Sequence, residues 1–537
     1  WYRPLPPYRE VLWSMRNNIN YMETAVISAL QYASSFPEVI TENFYRKSRN
    51  SIEAGRKNPP HAFIVPGGQK DQTRVRLLVS LLHRQGIEVT RTDAELKLSD
   101  GTYPADSIVI KLDQPYGRLA KTLLEKQTFP DANLRTYDDT GWTMGLMLHV
   151  DVKPTTDKAV LDVQDSRTGS GLGGFGSGYT GLIVPHHGSN DMVKLRLALG
   201  AAADVRAAAA AFKVGDQEFQ AGSFVFASRN DDAAAKARRL GLAAQDISQP
   251  LPTDLKTIAV DLPRLAMFST WGRTQEVGWV RHAFDEFGIP YELIYKERVR
   301  SGALKSAYDV ILIPSQATSG KSLVYDVERK AGPLAYSADP RFPTLGVYGE
   351  TDDVTGGMGL EGVLELQKFV DEGGVLITLG ASSYMPAEFG LLREVSASRP
   401  TGAFYAPGPI VQAEIQRPEH PIFFGYEKTT VPVRYANGPL LTVPRENEAA
   451  QVLMRFTGGD AGVLSGLMRG AAETRRRPAI VDTPVGRGRI VTFATNPCYR
   501  WQNHGEFGML FNAAVLFWND VPADKPAAGA ATASVAP

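Results

Sequence analysis

Cysteine is the residue that this sequence uses least, and its scarcity excludes several kinds of site. The chain of 537 residues contains one cysteine, Cys498, so it can form neither an intramolecular disulfide nor a zinc site built from several thiolates. A single cysteine does not distinguish the cytosol from an oxidising compartment. Beside Pro497 and Tyr499, Cys498 is more typical of a small buried apolar side chain than of a reactive thiol.

Long apolar runs and an excess of one charge are also missing. No run approaches the roughly 20 apolar residues that span a bilayer, and the first residues contain no basic and apolar signal segment. Fifty-eight basic residues balance fifty-eight acidic ones, so we expect neither a nucleic-acid partner nor a membrane partner. The chain begins at Trp1 and not at methionine, which predicts a fragment or a processed product.

The residues that are present have the balance of an ordinary globular protein, with 43% hydrophobic and 22% charged residues. At roughly 150 residues a domain, this length predicts two or three domains. Residues 8–57 carry apolar side chains at helical spacing with a break at Phe36-Pro37, which predicts two helices. The second is expected from Glu38 to Arg56, with these candidate buried contacts: Val39, Phe44, Tyr45 and Ile52.

From Ala62 the pattern changes to short apolar runs separated by amphipathic stretches, a βαβ rhythm. Asp71 is placed to cap the first of these helices and Gly86 to end it. From Thr257 the alternation is clearer and predicts a parallel, doubly wound sheet. Its expected strands are Leu265 to Phe268, Tyr291 to Ile294, Tyr308 to Ile313 and Val375 to Leu379.

The predicted fold class is therefore α/β and multidomain, with N-terminal helices followed by α/β units and a doubly wound parallel-sheet domain. The predicted boundaries are 1–58 for the helices, 59–255 for an α/β region and 256–521 for the doubly wound domain. Residues 522–537, which are rich in Ala, Pro and Gly, are predicted to be a disordered tail.

Histidine spacing gives little support to a metal site. A zinc hydrolase brings two ligands close in sequence onto one element, and most of the eight histidines have no such neighbour. His282 and Glu286 can share one helix face, but no third ligand lies nearby. His186 and His187 are adjacent and point to opposite faces of a strand. We expect no metal ligand and no cofactor-binding residue in this chain.

A glycine-rich segment runs from Gly169 to Gly178 and satisfies the spacing of a dinucleotide fingerprint between Gly171 and Gly176. That fingerprint requires a strand before it and a helix after it. Polar residues precede this segment, and the strand-like run from Gly181 follows it. A loop that borders a groove is the better interpretation.

Ser382 is the candidate nucleophile, because it closely follows a predicted buried strand, where a nucleophile elbow holds a serine or cysteine. The usual glycine two residues later is missing. His504 and Glu506 are candidates for a base and its orienting carboxylate, although side chains two apart seldom cooperate on a helix. Aromatic residues form a further lead, a shelf for a sugar or peptide made of Trp271, Trp279, Tyr499 and Trp501.

Two stretches resemble bacterial zinc carboxypeptidases of the carboxypeptidase A type. The first runs from Tyr2 to Pro7 through Ser14 to Asn20 and the second from Asn43 to Asn50, and both are similar to the closing helices of the catalytic domain. Further short segments are similar to the accessory region that follows it: Ala62 to Pro66, Gly86 to Val89, Leu112 to Tyr116, Leu124 to Gln127 and Tyr137 to Trp142.

This resemblance implies hydrolysis at the C-terminus of a peptide, with zinc polarising the carbonyl and a glutamate acting as general base. The family's zinc signature is absent from the sequence, so zinc is expected in an upstream domain that the chain does not contain. The same resemblance implies that residues 1–58 close a peptidase-like domain, that 59–255 are an accessory region, and that the protein is exported to the periplasm or outside the cell.

Residues 256–521 resemble class I glutamine amidotransferases, which are related to flavodoxin, through Tyr308 to Pro314 and Gly373 to Leu379. Active members place a cysteine at the elbow, and Ser382 is at the position that looks equivalent here. A degenerate, noncatalytic module is the better inference from this difference.

Three hypotheses follow. The first is a C-terminal accessory portion of a zinc carboxypeptidase-like protein, inactive alone, with the upstream peptidase domain as partner and peptide as a possible ligand. The second is an amidase or amidotransferase-like enzyme that uses Ser382 or Cys498 with His504. The third is a noncatalytic peptide-binding or glycan-binding module that uses the glycine-rich loop and nearby aromatic residues.

Overall fold

Two long helices lead into the folded body of the chain. The computed structural model describes residues 12–136, 141–164, 181–330, 332–444 and 451–519. Helix α1 covers Met15–Ser35 and helix α2 covers Pro37–Lys57. The predicted break at Phe36 and Pro37 is confirmed, and it falls there because proline favours the first turn of a helix.

The contacts of α2 differ from the prediction. Val39, Phe44 and Tyr45 are 44%, 62% and 61% exposed, and Ile52 is only partly buried. The buried positions are small ones, because α2 lies very close to the backbone at residues 112–114. Ser51 Oγ donates a hydrogen bond of 3.1 Å to the Gln114 carbonyl, and a Cβ on Gly55 would lie 2.1 Å from the Leu112 carbonyl carbon.

The next unit, which we call repeat 1, is a four-stranded antiparallel sheet in the order β2-β5-β1-β6. The predicted helix cap is confirmed, since Asp71 accepts hydrogen bonds from the backbone N–H groups of Thr73 and Arg74. Gly86 follows the helix with a φ of +74°, as a terminating glycine should. The elements are β1 Ala62–Val65, α3 Gln72–Arg84, β2 Thr90–Arg91, β3 Leu96–Leu98, β4 Gly101–Tyr103, β5 Ile108–Lys111, α4 Gly117–Leu124, α5 Met144–Leu148 and β6 Lys153–Thr155.

The βαβ rhythm is present in repeat 1, but as a split unit. Strands β1 and β2 run in the same direction on either side of β5, which pairs antiparallel with both. The short β3–β4 hairpin reverses the chain and brings β5 back between them. The apolar runs predicted the strands, and the pairing was decided by the hairpin.

A second unit, repeat 2, has the same architecture. Its sheet order is β12-β7-β11-β8-β13. The first four of these strands correspond to β6, β1, β5 and β2 of repeat 1, and β13 is an addition. That last strand lies just beyond residue 255, so the second sheet extends a little past the predicted boundary. The elements are β7 Gly181–Val184, α6 Asp191–Ala198, β8 Arg206–Ala208, β9 Phe212–Val214, β10 Gln217–Phe219, β11 Phe224–Phe226, α7 Asp231–Arg239, β12 Gln245–Ile247 and β13 Thr257–Ala259.

Matching hydrogen bonds show that the two units repeat the same local structure. In repeat 1, Ser107 Oγ donates to the Pro104 carbonyl at 2.6 Å and accepts from the Gly67 N–H at 2.9 Å. In repeat 2, Ser223 Oγ donates to the Gln220 carbonyl at 2.7 Å and accepts from the His186 N–H at 3.1 Å. Each serine precedes the central strand and ties it to the loop after the first strand. We call this arrangement the serine clasp.

The C-terminal domain is built on a ten-stranded mixed sheet in the order β15-β14-β16-β17-β25-β24-β22-β19-β20, with β23 paired to β19. The first five of these strands are parallel. The elements are β14 Leu265–Phe268, α8 Gln275–Phe287, β15 Glu292–Ile294, α9 Lys296–Arg300, α10 Leu304–Ala307, β16 Val310–Ile313, α11 Gly320–Tyr325, α12 Gly359–Asp371, β17 Val375–Leu379, α13 Tyr384–Glu388, β18 Ser396–Ser398, β19 Ile410–Ile415, β20 Thr430–Arg434, β21 Leu440–Thr442, β22 Gln451–Phe456, β23 Val463–Ser465, β24 Pro478–Val485, β25 Gly488–Phe493 and α14 His504–Phe511.

The multidomain α/β fold class is confirmed, and so is the doubly wound parallel sheet. Its strands appear where apolar runs predicted them because all four residues of β14 and of β16 are buried, as in a sheet covered on both faces. One side of the repeat 2 sheet shares a continuous core with this domain, while Ile183, Phe219 and Val225 belong to a small cluster within repeat 2. Most of the apolar core of repeat 1 forms separate clusters.

Candidate binding cleft

A cleft of about 510 Å³ opens at the carboxyl ends of the parallel strands. Ser315 follows β16, Gly380 follows β17 and Thr495 follows β25, and all three line the cleft. In open α/β sheets this edge is where ligands bind. The volume is in the range of a site for a small molecule or a short peptide segment.

The elbow after β17 is occupied by a glycine. Gly380 follows Leu379 directly and has a φ of +51°, the left-handed backbone that a strained strand-to-helix turn requires. A Cβ at this position would lie 2.8 Å from Ser315 Oγ. No side chain is therefore available at the elbow to act as a nucleophile.

Ser382, the predicted nucleophile, lies outside the cleft lining. The one-turn 3-10 helix Gly380–Ser383 carries Ser382 past the elbow and turns it into the protein. Its side chain is fully buried, and Ser382 Oγ donates a 2.6 Å hydrogen bond to the Pro314 carbonyl. This contact ties the turn to the end of β16.

His504 and Glu506 are also buried behind the cleft and not on its surface. The His504 ring packs against Trp501 and Phe507, and burial lowers its pKa to about 3. Glu506 Oε1 accepts a 2.8 Å hydrogen bond from the Arg434 N–H, and burial raises the pKa of its carboxyl to about 8. Cys498 is fully buried, and burial raises the pKa of its thiol well above the usual value.

Two groups at the cleft were not predicted from the sequence. Arg434 ends β20, is 5% exposed, and stacks its guanidinium 3.3 Å from the centre of the Tyr499 ring. Asn496 Nδ2 donates a 3.1 Å hydrogen bond to Glu276 Oε2. Asn496 Oδ1 is buried and has no hydrogen-bond partner within the described residues. The lining of the cleft therefore contains a guanidinium together with carboxylate and amide oxygens.

The sequence does contain a signal for some of the residues that line the cleft. The run from Arg489 to Phe493 reads as a strand, and polar Thr495 and Asn496 follow directly, at the edge where ligands bind. Arg434 carries no such signal, because it reaches the cleft from an antiparallel strand far along the chain.

The shelf of four aromatic residues does not form. Trp271 stacks on Tyr295 with ring centres 3.9 Å apart, whereas Trp279 meets Tyr499 edge-on at 4.3 Å. Trp501 packs on Phe287, within the core between α8 and α14. Of the four, Tyr499 is a lining residue of the cleft. The glycine-rich segment 169–178 lies outside the described residues.

Zinc does not fit the residues that are described. Within those ranges no group of three or more His, Cys, Asp and Glu side chains is arranged to hold a metal ion. His187 Nδ1 lies 3.5 Å from Glu427 Oε1, while the neighbouring His186 is turned toward Phe517. His282 and Glu286 lie on the exposed face of α8. We therefore assign no step to zinc in this chain.

The strand order and the cleft together define a multidomain α/β protein. Its last domain has a cleft at the sheet edge where ligands bind, and the position at the elbow is a glycine. No protein-family model matches the chain, and no curated protein does. Across the described ranges no helix has the length and apolar character to cross a membrane.

The chain is similar, at low identity, to several solved structures. A cytoplasmic protein from Salmonella typhimurium is 12% identical over 48% of this chain and 100% of its own, with a TM-score of 0.28. A putative ThuA-like protein from Parabacteroides merdae is 11% identical over 49% and 94%, with a TM-score of 0.29. A β-galactosidase from Bacillus circulans is 12% identical over 48% and 32%, with a TM-score of 0.27. These likenesses are too weak to assign a function.

Proposed function

We propose that this chain is a noncatalytic accessory portion of a zinc carboxypeptidase-like protein, and that its C-terminal cleft binds peptide. The proposal that the chain is noncatalytic rests on the glycine at position 380. The cleft lies where an α/β enzyme would hold its nucleophile, and the elbow there has no side chain. Ser382, His504 and Glu506 are positioned as structural residues, so the amidase hypothesis has no support from their geometry.

The charges of the cleft favour a ligand with a carboxylate and hydrogen-bond donors. A buried guanidinium stacked on an aromatic ring keeps its N–H groups in the ring-parallel plane, where they bind a carboxylate well. Glu506 Oε1 accepts its hydrogen bond from the Arg434 backbone N–H, and burial raises the pKa of its carboxyl to about 8, so Glu506 is largely protonated at neutral pH. Asn496 Oδ1 and Glu276 offer acceptors for amide or ammonium hydrogens. A peptide terminus supplies both kinds of group.

Helices α1 and α2 supply the argument for a missing neighbour. Large apolar side chains of α1 that are each more than half exposed lie on several sides of the helix: Met15, Ile19, Tyr21, Met22, Val26, Ile27, Leu30 and Tyr32. A helix that is apolar on several sides is typical of a domain interior and not of a solvated surface. We propose that an upstream peptidase domain of the same polypeptide covers these helices. Zinc in that domain and export of the protein remain parts of the same proposal.

Titration calorimetry tests the binding function. Short peptides with a free carboxylate should bind, and the same peptides with an amidated C-terminus should bind about tenfold more weakly or not at all, since a charge-assisted pair is lost. Arg434→Gln should reduce binding of the free peptide to the level of the amidated one. Arg487→Gln, in the turn between β24 and β25, is the matched control. Equal affinity for both peptides would contradict the proposal.

Turnover and zinc content test the noncatalytic and accessory parts. This chain alone should release no C-terminal amino acid and should hold no stoichiometric zinc, whereas a longer protein that includes the upstream domain should do both. Hydrolysis by this chain that disappears in Ser382→Ala or His504→Ala would establish the amidase alternative.

A further inference from the structure

Repeat 1 carries an open groove of about 1140 Å³ between α3 and the strands β1, β2 and β5. Its floor is apolar and is formed by Val65, Val75, Val79, Val89 and Ile108. Its rim is basic, with Arg76, His83, Arg84 and Arg91 against one carboxylate, that of Asp106. Arg91 Nε and Asp106 Oδ1 form a 3.1 Å ion pair. The rim therefore keeps an excess of positive charge.

The corresponding face of repeat 2 is an occupied interface. Gly222 precedes the clasp serine of repeat 2 as Asp106 precedes that of repeat 1, and a Cβ on Gly222 would lie 2.6 Å from Phe424 Cβ. His186 follows the loop proline as Gly67 does in repeat 1, and its ring centre lies 6.5 Å from that of Phe517. The C-terminal domain thus inserts aromatic side chains where repeat 1 has its groove.

Helix α6 shows the same correspondence. Leu195 stands five residues after the helix cap Asn190, as Arg76 does after the cap Asp71, and Leu195 is fully buried. Leu199 stands where repeat 1 has the exposed Ser80 and packs against the shared core. Helix α6 contacts α8 and the helix Asn512–Leu516 of the C-terminal domain. Repeat 1 keeps the apolar floor of this interface but has polar residues at the rim, with the cation Arg76 in place of Leu195 and Ser80 in place of Leu199.

We infer that the groove of repeat 1 is a docking site for an acidic polypeptide segment that inserts an aromatic side chain, as Phe424 does in repeat 2. Continuity with the interface of repeat 2 indicates the aromatic insertion, and the positive rim indicates the charge of the partner. The site is separate from the C-terminal cleft and from the exposed helices α1 and α2, so this inference does not depend on the proposed function.

Fluorescence anisotropy on the full chain tests the inference. The probe is a labelled peptide with the sequence of residues 420–428, which contains Phe424, extended by glutamates at both ends. One matched peptide carries lysines in place of the added glutamates, and another carries serine in place of the residues equivalent to Phe423 and Phe424. The glutamate peptide should bind at least about tenfold more tightly than either, and added salt should weaken its binding.

Two variants locate the binding in the groove. Arg84→Glu and Ser80→Glu each place a negative charge on an exposed rim position of α3 and should weaken the glutamate peptide about tenfold or more. Lys213→Glu makes the same kind of change on the exposed surface of repeat 2 and should leave binding unchanged. Circular dichroism and thermal unfolding establish that each variant is folded.

Several results would overturn the inference. These are equal binding of the glutamate and lysine peptides, no binding of the glutamate peptide up to about 1 mM, and binding that Arg84→Glu does not change. A dimer of the chain that Arg84→Glu dissociates in sedimentation would assign the groove to a second copy. Preferential binding of single-stranded DNA would assign it to a phosphate polymer.

Discussion

Repeat 1 and repeat 2 share a strand order and a serine clasp, yet they occupy different positions in the molecule. On one side of the repeat 2 sheet the buried side chains continue into the C-terminal domain, so that Leu182 and Phe224 belong to the same core as Leu265 and Phe511. Most of the apolar core of repeat 1 lies in two clusters of its own. The same fold can therefore serve as part of a larger core or as a separately packed unit, depending on which side chains cover one face.

The polar contacts of repeat 1 to its neighbours are consistent with this difference. Arg74 donates a 2.5 Å hydrogen bond to the Gly188 carbonyl, and a His149 ring nitrogen lies 2.7 Å from the Pro432 carbonyl. Asn190 Nδ2 donates to the His504 carbonyl at 2.8 Å, within the fused unit. Such bonds fix orientation, while burial of apolar area supplies most of the stability. We therefore expect repeat 1 to unfold separately.

Truncating one core phenylalanine in each repeat should produce the largest difference between the two repeats. Phe224→Ala and Phe63→Ala both remove a buried ring and should each cost about 3–5 kcal/mol of unfolding free energy. Phe224→Ala should expose the amides of repeat 2 and of the parallel sheet together. Phe63→Ala should expose those of repeat 1 alone. Hydrogen exchange with mass spectrometry by peptide distinguishes the two patterns, and identical patterns would show one cooperative unit.

Replacing a buried carboxyl should give the fused unit a distinctive pH response. The pKa of Glu506 is raised to about 8 from 4.5 by burial, so the stability linked to its protonated form is complete below pH 4.5 and is lost as the pH rises through 8. Glu506→Gln keeps an oxygen for the Arg434 N–H and removes this loss. The variant should gain about 5 kcal/mol over the parent at pH 9 and little at pH 4.5.

Urea unfolding across this pH range measures the effect. Glu427→Gln, a change at a partly exposed carboxylate near the junction of the repeats, is the control and should not reproduce the alkaline gain. Protection of repeat 1 should not change in Glu506→Gln. A constant difference between variant and parent from pH 4.5 to pH 9 would contradict the raised pKa.

Removing the clasp hydroxyl tests the two repeats with one chemical change. Ser107→Ala and Ser223→Ala each delete a fully buried hydroxyl with two hydrogen bonds, so each should cost about 2 kcal/mol. The local cost should be similar, because the geometry is the same. The global effect should differ, with Ser107→Ala lowering the protection of repeat 1 and Ser223→Ala lowering that of repeat 2 and the C-terminal domain. Thr378→Ala on β17, which leaves both clasps intact, is the comparison for an unrelated buried hydroxyl.

The sequence predicted local structure well where one residue decides it. Asp71 capped α3 because its carboxylate reaches two backbone N–H groups, and buried runs such as Val375–Leu379 became strands. Strand order was not predictable in this way, because the place of β5 depends on pairing across the chain. The structural repeat has one visible sequence signal, a strand followed by proline at Pro66 and at Pro185, but most other side chains of the two repeats differ.

The candidate site was harder to predict than the fold. The buried strand β17 indicated the correct edge of the sheet. The elbow position, however, depends on which residue has a positive φ, and that residue is Gly380 and not Ser382. Arg434 and Asn496 are brought together by β20 and β25, which are separated by several strands in the sheet. Residues that meet only by lining the same cleft have no local sequence pattern to reveal them.

The smallest expected effect compares two glycines with the same backbone in equivalent loops. Gly68 has a φ of +80° and open space around it, whereas Gly188 has a φ of +83° and would place a Cβ 2.9 Å from the Gly425 carbonyl oxygen. Gly68→Ala should therefore cost about 1 kcal/mol, the strain of an alanine with left-handed backbone. Gly188→Ala should cost about 1–2 kcal/mol more, because Gly425 must move away from the repeat. Thermal unfolding of both variants measures this difference. Equal costs would mean that the Gly425 backbone moves away from repeat 2 with little loss of stability. That result is expected of an interface stabilised mainly by its aromatic side chains.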